Sequence, residues 1–279
     1  MTRNETAPPE RERRRVLVTN DDGVGSPGIV ALASALHRAG HQVQVVAPLA
    51  DLSGAGASIG PLHRSESIPV AERHWPELPG VRVLAVERPP ATAVYLACLG
   101  AFGERPDVVA SGINPGANTG HLVLHSGTVG AALTAAGLGV SALAVSMKWD
   151  ENGIYEWDTA ATLAVHALDW VLEEPGPRVL NLNVPNRPIE QLRGIRDANL
   201  AAYGEFWVAS TDLRDGDLRM EFQGKTDTPE PGTDEALLIE GYATVTPLVG
   251  IVAAPLKGAA TSVDNAWRRQ PPTKPSQLS

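Results

Sequence analysis

Runs of Val, Leu and Ala recur along the chain with helix-length stretches between them, and this alternation limits the fold more than any other feature. VLVT (16–19), QVQVVAP (42–48), VRVLAVE (81–87), DVVASGIN (107–114), SALAVSM (141–147) and RVLNLNVP (178–185) read as strands. Most lack a clean in–out alternation, as expected where helices cover both faces. Between the first two, SPGIVALASALHRAG has Ser26 placed as a helix cap, Pro27 at the first position and Gly40 just past the end. Residues 91–102, 127–139 and 158–174 are the other helix-like stretches. The pattern predicts an α/β fold with a doubly wound, mostly parallel sheet.

After Pro185 the character changes. FWVASTDLRDGDLRMEFQ reads as two extended runs around Asp215-Gly216, a common hairpin turn pair. This third of the chain reads as an accessory arm, at about 186–232, plus one returning strand. The expected organisation is a disordered leader over 1–14, one α/β domain over 15–265 and a tail over 266–279. The 279 residues suit one large domain, and no segment approaches the ~20 apolar residues of a membrane span. The leader lacks the apolar stretch and cleavage site of a secretion signal. The single cysteine, Cys98, sits in the apolar run AVYLACL and reads as a buried helix position; together these point to the cytoplasm. A net charge of −9 argues against long nucleic acids as partners. It leaves room for small phosphorylated substrates where a metal supplies the positive charge.

The loop leaving the first strand is NDDGVGSPG (20–28), whose GVGSPG matches the G-x-G-x-x-G spacing of dinucleotide-binding loops. Asp21 and Asp22 stand beside it, in conflict with a pyrophosphate: like charges ~4 Å apart cost about 4 kcal/mol at an effective dielectric of 20. The acid expected at the end of the second strand is also missing there, where Pro48 stands, although Asp51 follows shortly. A divalent cation removes the conflict, because magnesium and manganese favour adjacent carboxylates and hard oxygen ligands. The bland alternative is that Asp21 and Asp22 only start a turn and cap a helix. Three more polar clusters weigh against it: DLSGAGAS (51–58), SGINPGANTG (111–120) and HSGTVG (125–130) fall at the same sheet edge, where ligands of open α/β sheets bind. Ser126 and Thr128 with Gly127 between them suit an anion-binding helix start, though ordinary capping needs the same residues. His121 and His125 lie four apart, but without a clear third ligand they make a poor zinc site; His125 is a candidate proton donor. Lys148, at the end of the fifth strand, is a candidate substrate contact.

VTNDDGVGSPGI, LSGAGAS, VVASGINPGANTG, SGTVGAAL, ALAVS, LNLNVP and PGTDEALLIEGYATVTPL together resemble the SurE family, stationary-phase survival proteins that are metal-dependent 5′/3′-nucleotidases and acid phosphatases. The resemblance implies a Rossmann-like core, an extended β-hairpin, and homodimers or homotetramers built partly by exchange of C-terminal elements. It implies one Mg2+ or Mn2+ per subunit on Asp21, Asp22, Ser53 and Asn114, with Asp21 and Asp22 catalytic. It puts Asn20, Asn118, Ser126, Gly127 and Thr128 on the phosphate side, and makes no use of nicotinamide or flavin. Departures from the family pattern are Thr92 in RPPATAV in place of an acid, His121 and His125 beside the phosphate loop, and DANLAAYGEFW after GIR. The expected activity is hydrolysis of nucleoside 5′/3′-monophosphates. The alternatives are a SurE-like phosphatase for a non-nucleotide metabolite and a catalytically silent nucleotide-binding or scaffold protein.

Overall fold

The computed structural model describes residues 12–64, 66–173, 176–202, 206–214, 217–224, 229–253 and 257–268. From the amino end the elements are β1 (Arg15–Thr19), α1 (Pro27–Arg38), β2 (Gln42–Pro48), β3 (Val70–Arg73), β4 (Arg82–Val86) and α2 (Pro90–Cys98). Then come β5 (Val108–Pro115), α3 (Gly127–Gly137), β6 (Ser141–Met147), α4 (Trp157–Leu172) and β7 (Val179–Val184). The last are β8 (Ile195–Asp197), β9 (Phe206–Arg214), β10 (Asp217–Gly224), α5 (Asp234–Glu240), β11 (Ala243–Leu248) and α6 (Ala259–Arg268). Two compact units divide the chain, Met1–Val249 and Gly250–Ser279, with α6 in the second.

Nine strands form one sheet in the order β3-β4-β2-β1-β5-β6-β7-β11-β8. From β4 to β7 every pairing is parallel, while β3 and β11 run antiparallel to their neighbours β4 and β7. This is the doubly wound α/β sheet that the alternation predicts. The order reverses between β1 and β5, which opens a crevice beyond the carboxyl ends of those two strands.

Side chains alternate across the buried strands and feed two cores. Val16 and Val18 of β1, Val45 of β2 and Leu143 and Val145 of β6 pack with Ile29, Leu32 and Leu36 of α1 and Leu168 of α4. Leu17, Val46, Val109, Ala142 and Ala144 pack on the other face with α2 and α3, whose contacts there are mostly Ala and Val. Small residues on both sides let α3 lie close to the sheet. Cys98 is buried at the end of α2, as the apolar run predicts.

One local reading changes, and two details are added. Ser26 does not cap α1 with its side chain; its hydroxyl accepts from Asn20 Nδ2 at 2.8 Å, and Pro27 sets the helix entry. β5 continues past Gly112 to Pro115, with a register shift against β6 between Ser111 and Asn114. β3 carries no hidden signal: VAER is largely exposed, so an edge strand forms without an apolar face to announce it. The hairpin forms as β9 and β10, antiparallel with a register shift between Glu221 and Phe222; Asp215 and Gly216 lie outside the described residues.

Candidate active site

Asp21 and Asp22 leave β1 at the crevice. Asp21 is buried, 3% exposed, and accepts a 2.5 Å hydrogen bond from Thr128 Oγ1 at the start of α3. The same hydroxyl lies 3.5 Å from Asn114 Oδ1 at the end of β5. The side-chain nitrogen of Asn114 donates to the Gly116 carbonyl at 2.7 Å, which leaves the oxygen as the end turned toward Thr128. The main chain of Asp21 also accepts from Leu52 N at 2.8 Å, so the loop after β2 is sewn to the same point. In that loop the Ser53 hydroxyl donates to Asp51 Oδ1 at 2.6 Å, leaving its oxygen lone pairs for another partner.

Close approach is built into α3. A Cβ on Gly127 would stand 2.7 Å from Asp21 Oδ2, and one on Gly130 would stand 2.4 Å from the Gly56 backbone. Only hydrogen at these positions lets the helix start rest on the carboxylate and on the β2 loop. The Gly56 amide closes the junction by donating to the His125 carbonyl at 3.1 Å. Ser126 caps α3, accepting from Val129 N at 3.1 Å, and keeps its own hydroxyl proton free to donate.

The electrostatics of this corner are unfavourable without a cation. Burial pushes the Asp21 carboxyl up, opposed by the Thr128 hydroxyl and by backbone groups of Thr128 and Gly127. Burial, reinforced by the charges of Asp21 and Asp51, pushes Asp22 up to about 7. Asp22 Oδ2 is buried without a hydrogen-bond partner. An orphaned carboxylate oxygen beside a second buried carboxylate is what a bound divalent ion would satisfy. Two carboxylates, the Asn114 amide oxygen and the Thr128 hydroxyl meet there, and Ser53 follows directly on Leu52, whose N–H bonds the Asp21 main chain; all are hard oxygen donors. With no nitrogen or sulfur donor among them, these residues fit a hard, magnesium-type ion better than zinc.

The other expected residues separate by role. Asn20 is fully buried and donates to Gly23 O at 3.0 Å and to Ser26 Oγ, shaping the turn that carries the two aspartates. Asn118 is clamped: its amide N–H donates to Asn183 Oδ1 at 2.8 Å, and its carbonyl accepts from Asn181 at 2.8 Å and Asn183 at 3.0 Å. Its side-chain nitrogen donates to Ser146 Oγ at 2.8 Å, with one more N–H to give. His121 and His125 are exposed on and just after a short 3-10 turn, Gly120–Leu124, and not on a regular helix. Gly28 explains the dinucleotide-like spacing: a Cβ there would stand 2.0 Å from the Ile113 carbonyl, so this glycine serves helix–strand packing.

Sequence reasoning passed over Asp51 as a third charge on Asp22, and over Asn181 and Asn183. The signal for the asparagines was present in LNLNVP, since two polar residues at period two on a buried strand need partners.

Residues 16–204 match the family model described as survival protein SurE. The chain belongs to the SurE family. It is 38% identical over 237 residues to the 5′-nucleotidase SurE of Nitratidesulfovibrio vulgaris, covering 84% of this chain and 86% of that one. It is 39% identical over 243 residues to the 5′/3′-nucleotidase SurE of Klebsiella pneumoniae, covering 84% and 89%. The crystal structure of the SurE protein from Aquifex aeolicus superposes with a TM-score of 0.69 at 32% identity, covering 86% of this chain and 94% of that one.

Proposed function

We propose that this SurE protein is a metal-dependent phosphomonoester hydrolase that releases phosphate from nucleoside 5′- and 3′-monophosphates. The observation that carries the reading is the Asp21–Asp22 pair at the crevice where the strand order reverses, Asp21 buried and Asp22 half-buried with one buried, unpartnered oxygen. The nucleotidase names of its relatives support the same reaction. Asp21, Asp22, Ser53 and Asn114 would hold one Mg2+ or Mn2+. When bound, the ion would supply Lewis-acid polarisation of the phosphate and activate water.

The chain's own residues do the rest. Thr128 and Gly127 hold the Asp21 carboxylate in place. Ser126, through its free hydroxyl proton, and Asn118, through its remaining amide N–H, would donate to the equatorial phosphate oxygens as charge builds during in-line attack by water. Asn20 shapes the aspartate turn from beneath. The ester P–O bond breaks and the leaving oxygen takes a proton. Lys148, half-buried just after β6, would be a further substrate contact.

Assembly as a homodimer or homotetramer and residence in the cytoplasm belong to the same proposal, the first supported by the family resemblance. Among the described residues no helix is long and apolar enough to cross a membrane. The deciding experiment measures phosphate release from nucleoside 5′- and 3′-monophosphates beside sugar phosphates, with magnesium, with manganese and with chelator. Release from the nucleotides that needs the metal is the expected result. Nucleotide binding without release, or release that survives chelation, would overturn the reading.

A further inference from the structure

One buried acid outside the proposed cation site turns a carboxyl oxygen to the loop between Asn118 and Ser126. Asp234, the first residue of α5, is fully buried. Its Oδ2 accepts from the Gly120 amide at 2.9 Å, and its Oδ1 accepts from the Ala201 and Glu235 amides at 2.9 Å each. Burial raises this carboxyl, and the backbone donors oppose the rise. A buried carboxylate held only by main-chain N–H groups serves those groups and not a salt bridge.

The three donors come from different places. Ala201 stands shortly before β9, and residues 232–234 follow β10, so both feet of the hairpin arm meet here. They are stitched together by Asp234 N to Asn199 O at 2.8 Å, Asn199 N to Gly232 O at 3.1 Å and an isolated parallel bridge between Asn199 and Thr233. Gly120 opens the 3-10 turn that leads to Ser126, and its N–H is one of the donors that a helix start leaves without an internal partner. Two residues earlier, Asn118 is gripped by Asn181 and Asn183 of β7. Thr119, between the two anchors, is buried. The loop is thus pinned from two remote parts of the chain, at Asn118 by the sheet and at Gly120 by the base of the arm.

We propose that Asp234 is a positioning residue that clamps Gly120 to the base of the hairpin arm and so sets where Asn118 and Ser126 stand. The proposal rests on the reading that this loop faces the phosphate. It makes the arm's footing a determinant of turnover, although Asp234 touches neither substrate nor metal ligand.

The test uses the full chain. In the wild type the Gly120 amide should exchange with solvent as slowly as the amides of β5; exchange at the rate of exposed turn amides overturns the clamp. In D234N an N–H donor replaces one acceptor oxygen and faces another N–H. Exchange should then quicken at Gly120 and Ala201 while β5 and β6 stay protected, and Mn2+ should bind as in the wild type. The ratio kcat/KM for a nucleoside monophosphate should fall about 10- to 100-fold, the size of effect expected from sub-ångström to ångström misplacement. An unchanged kcat/KM, loss of Mn2+ binding in step with activity, or faster exchange throughout the sheet would each sink the proposal. If D234N does not fold, the wild-type measurement still decides. If the wild type releases no phosphate, the nucleotidase reading fails, and the exchange data judge the clamp by themselves.

Discussion

The two faces of the sheet end differently at the carboxyl rim. Beneath α1 and α4 the last inward residues are Val18 of β1, Met147 of β6 and Val184 of β7, apolar to the end. Beneath α2 and α3 the matching positions are Thr19, Ser111, Ser146 and Asn183, polar and fully buried. The hydroxyls of Thr19 and Ser111 have no hydrogen-bond partner, while Ser146 and Asn183 hold Asn118. One face stops where packing is complete. The other gives up apolar burial to support a charged corner, because Asp21 and the start of α3 meet only on that side.

The contrast breaks first at the aspartates. D22N should lower metal-dependent phosphate release by more than about 100-fold, beyond the 10- to 100-fold typical of groups that only orient a ligand. Titration with Mn2+ beside the rate assay checks it, and near-wild-type turnover at saturating metal would refute the assignment. Next comes Gly127→Ala, whose Cβ would stand 2.7 Å from Asp21 Oδ2. It should weaken Mn2+ binding by about 10-fold or more through displacement of that carboxylate, while circular dichroism stays native.

A pH series sharpens the comparison. Burial and the neighbouring charges raise Asp22 from its ordinary 3.8 to about 7 in the metal-free fold, so between these values the folded state keeps the extra proton. Its contribution to metal-free stability is therefore present at low pH and lost as pH rises through about 7. Melting curves in chelator taken from about pH 4 to about pH 8, across that window, should fall more steeply for wild type than for D22N. Divalent-ion affinity should rise over the same window, because the ion displaces the proton. The smallest effect on turnover belongs to the opposite face. Leu182→Ala, buried in the α1/α4 core, should cost about 2–5 kcal/mol of stability and leave kcat per folded molecule unchanged. A loss of kcat equal to that of Gly127→Ala would erase the distinction between the faces.

Much of this was legible in the residues. The strands of SALAVSM and RVLNLNVP, the Ser126 cap of α3 and the buried place of Cys98 follow from local pattern, since burial on both faces and helix capping write themselves into neighbouring residues. NDDG marked an acidic loop at a sheet edge. Ser26 misled, because a hydroxyl before Pro27 is an equally good partner for Asn20, and only the packed turn chooses. Asp234 gave no local hint of its reach, because its partner Gly120 lies 114 residues away.

By itself, then, the sequence determined the alternation of strands and helices, the acidic loop, the oxygen-rich clusters and, through its motifs, the family. Those properties are carried by residues close together in the chain. Only the tertiary structure decided that Thr128 bonds Asp21, that Asn183 and Asp234 pin one loop from two sides, and that Asp22 is left with a partnerless oxygen. Burial and long-range hydrogen bonds come from the order in which strands assemble, and that order is a property of the whole packed sheet.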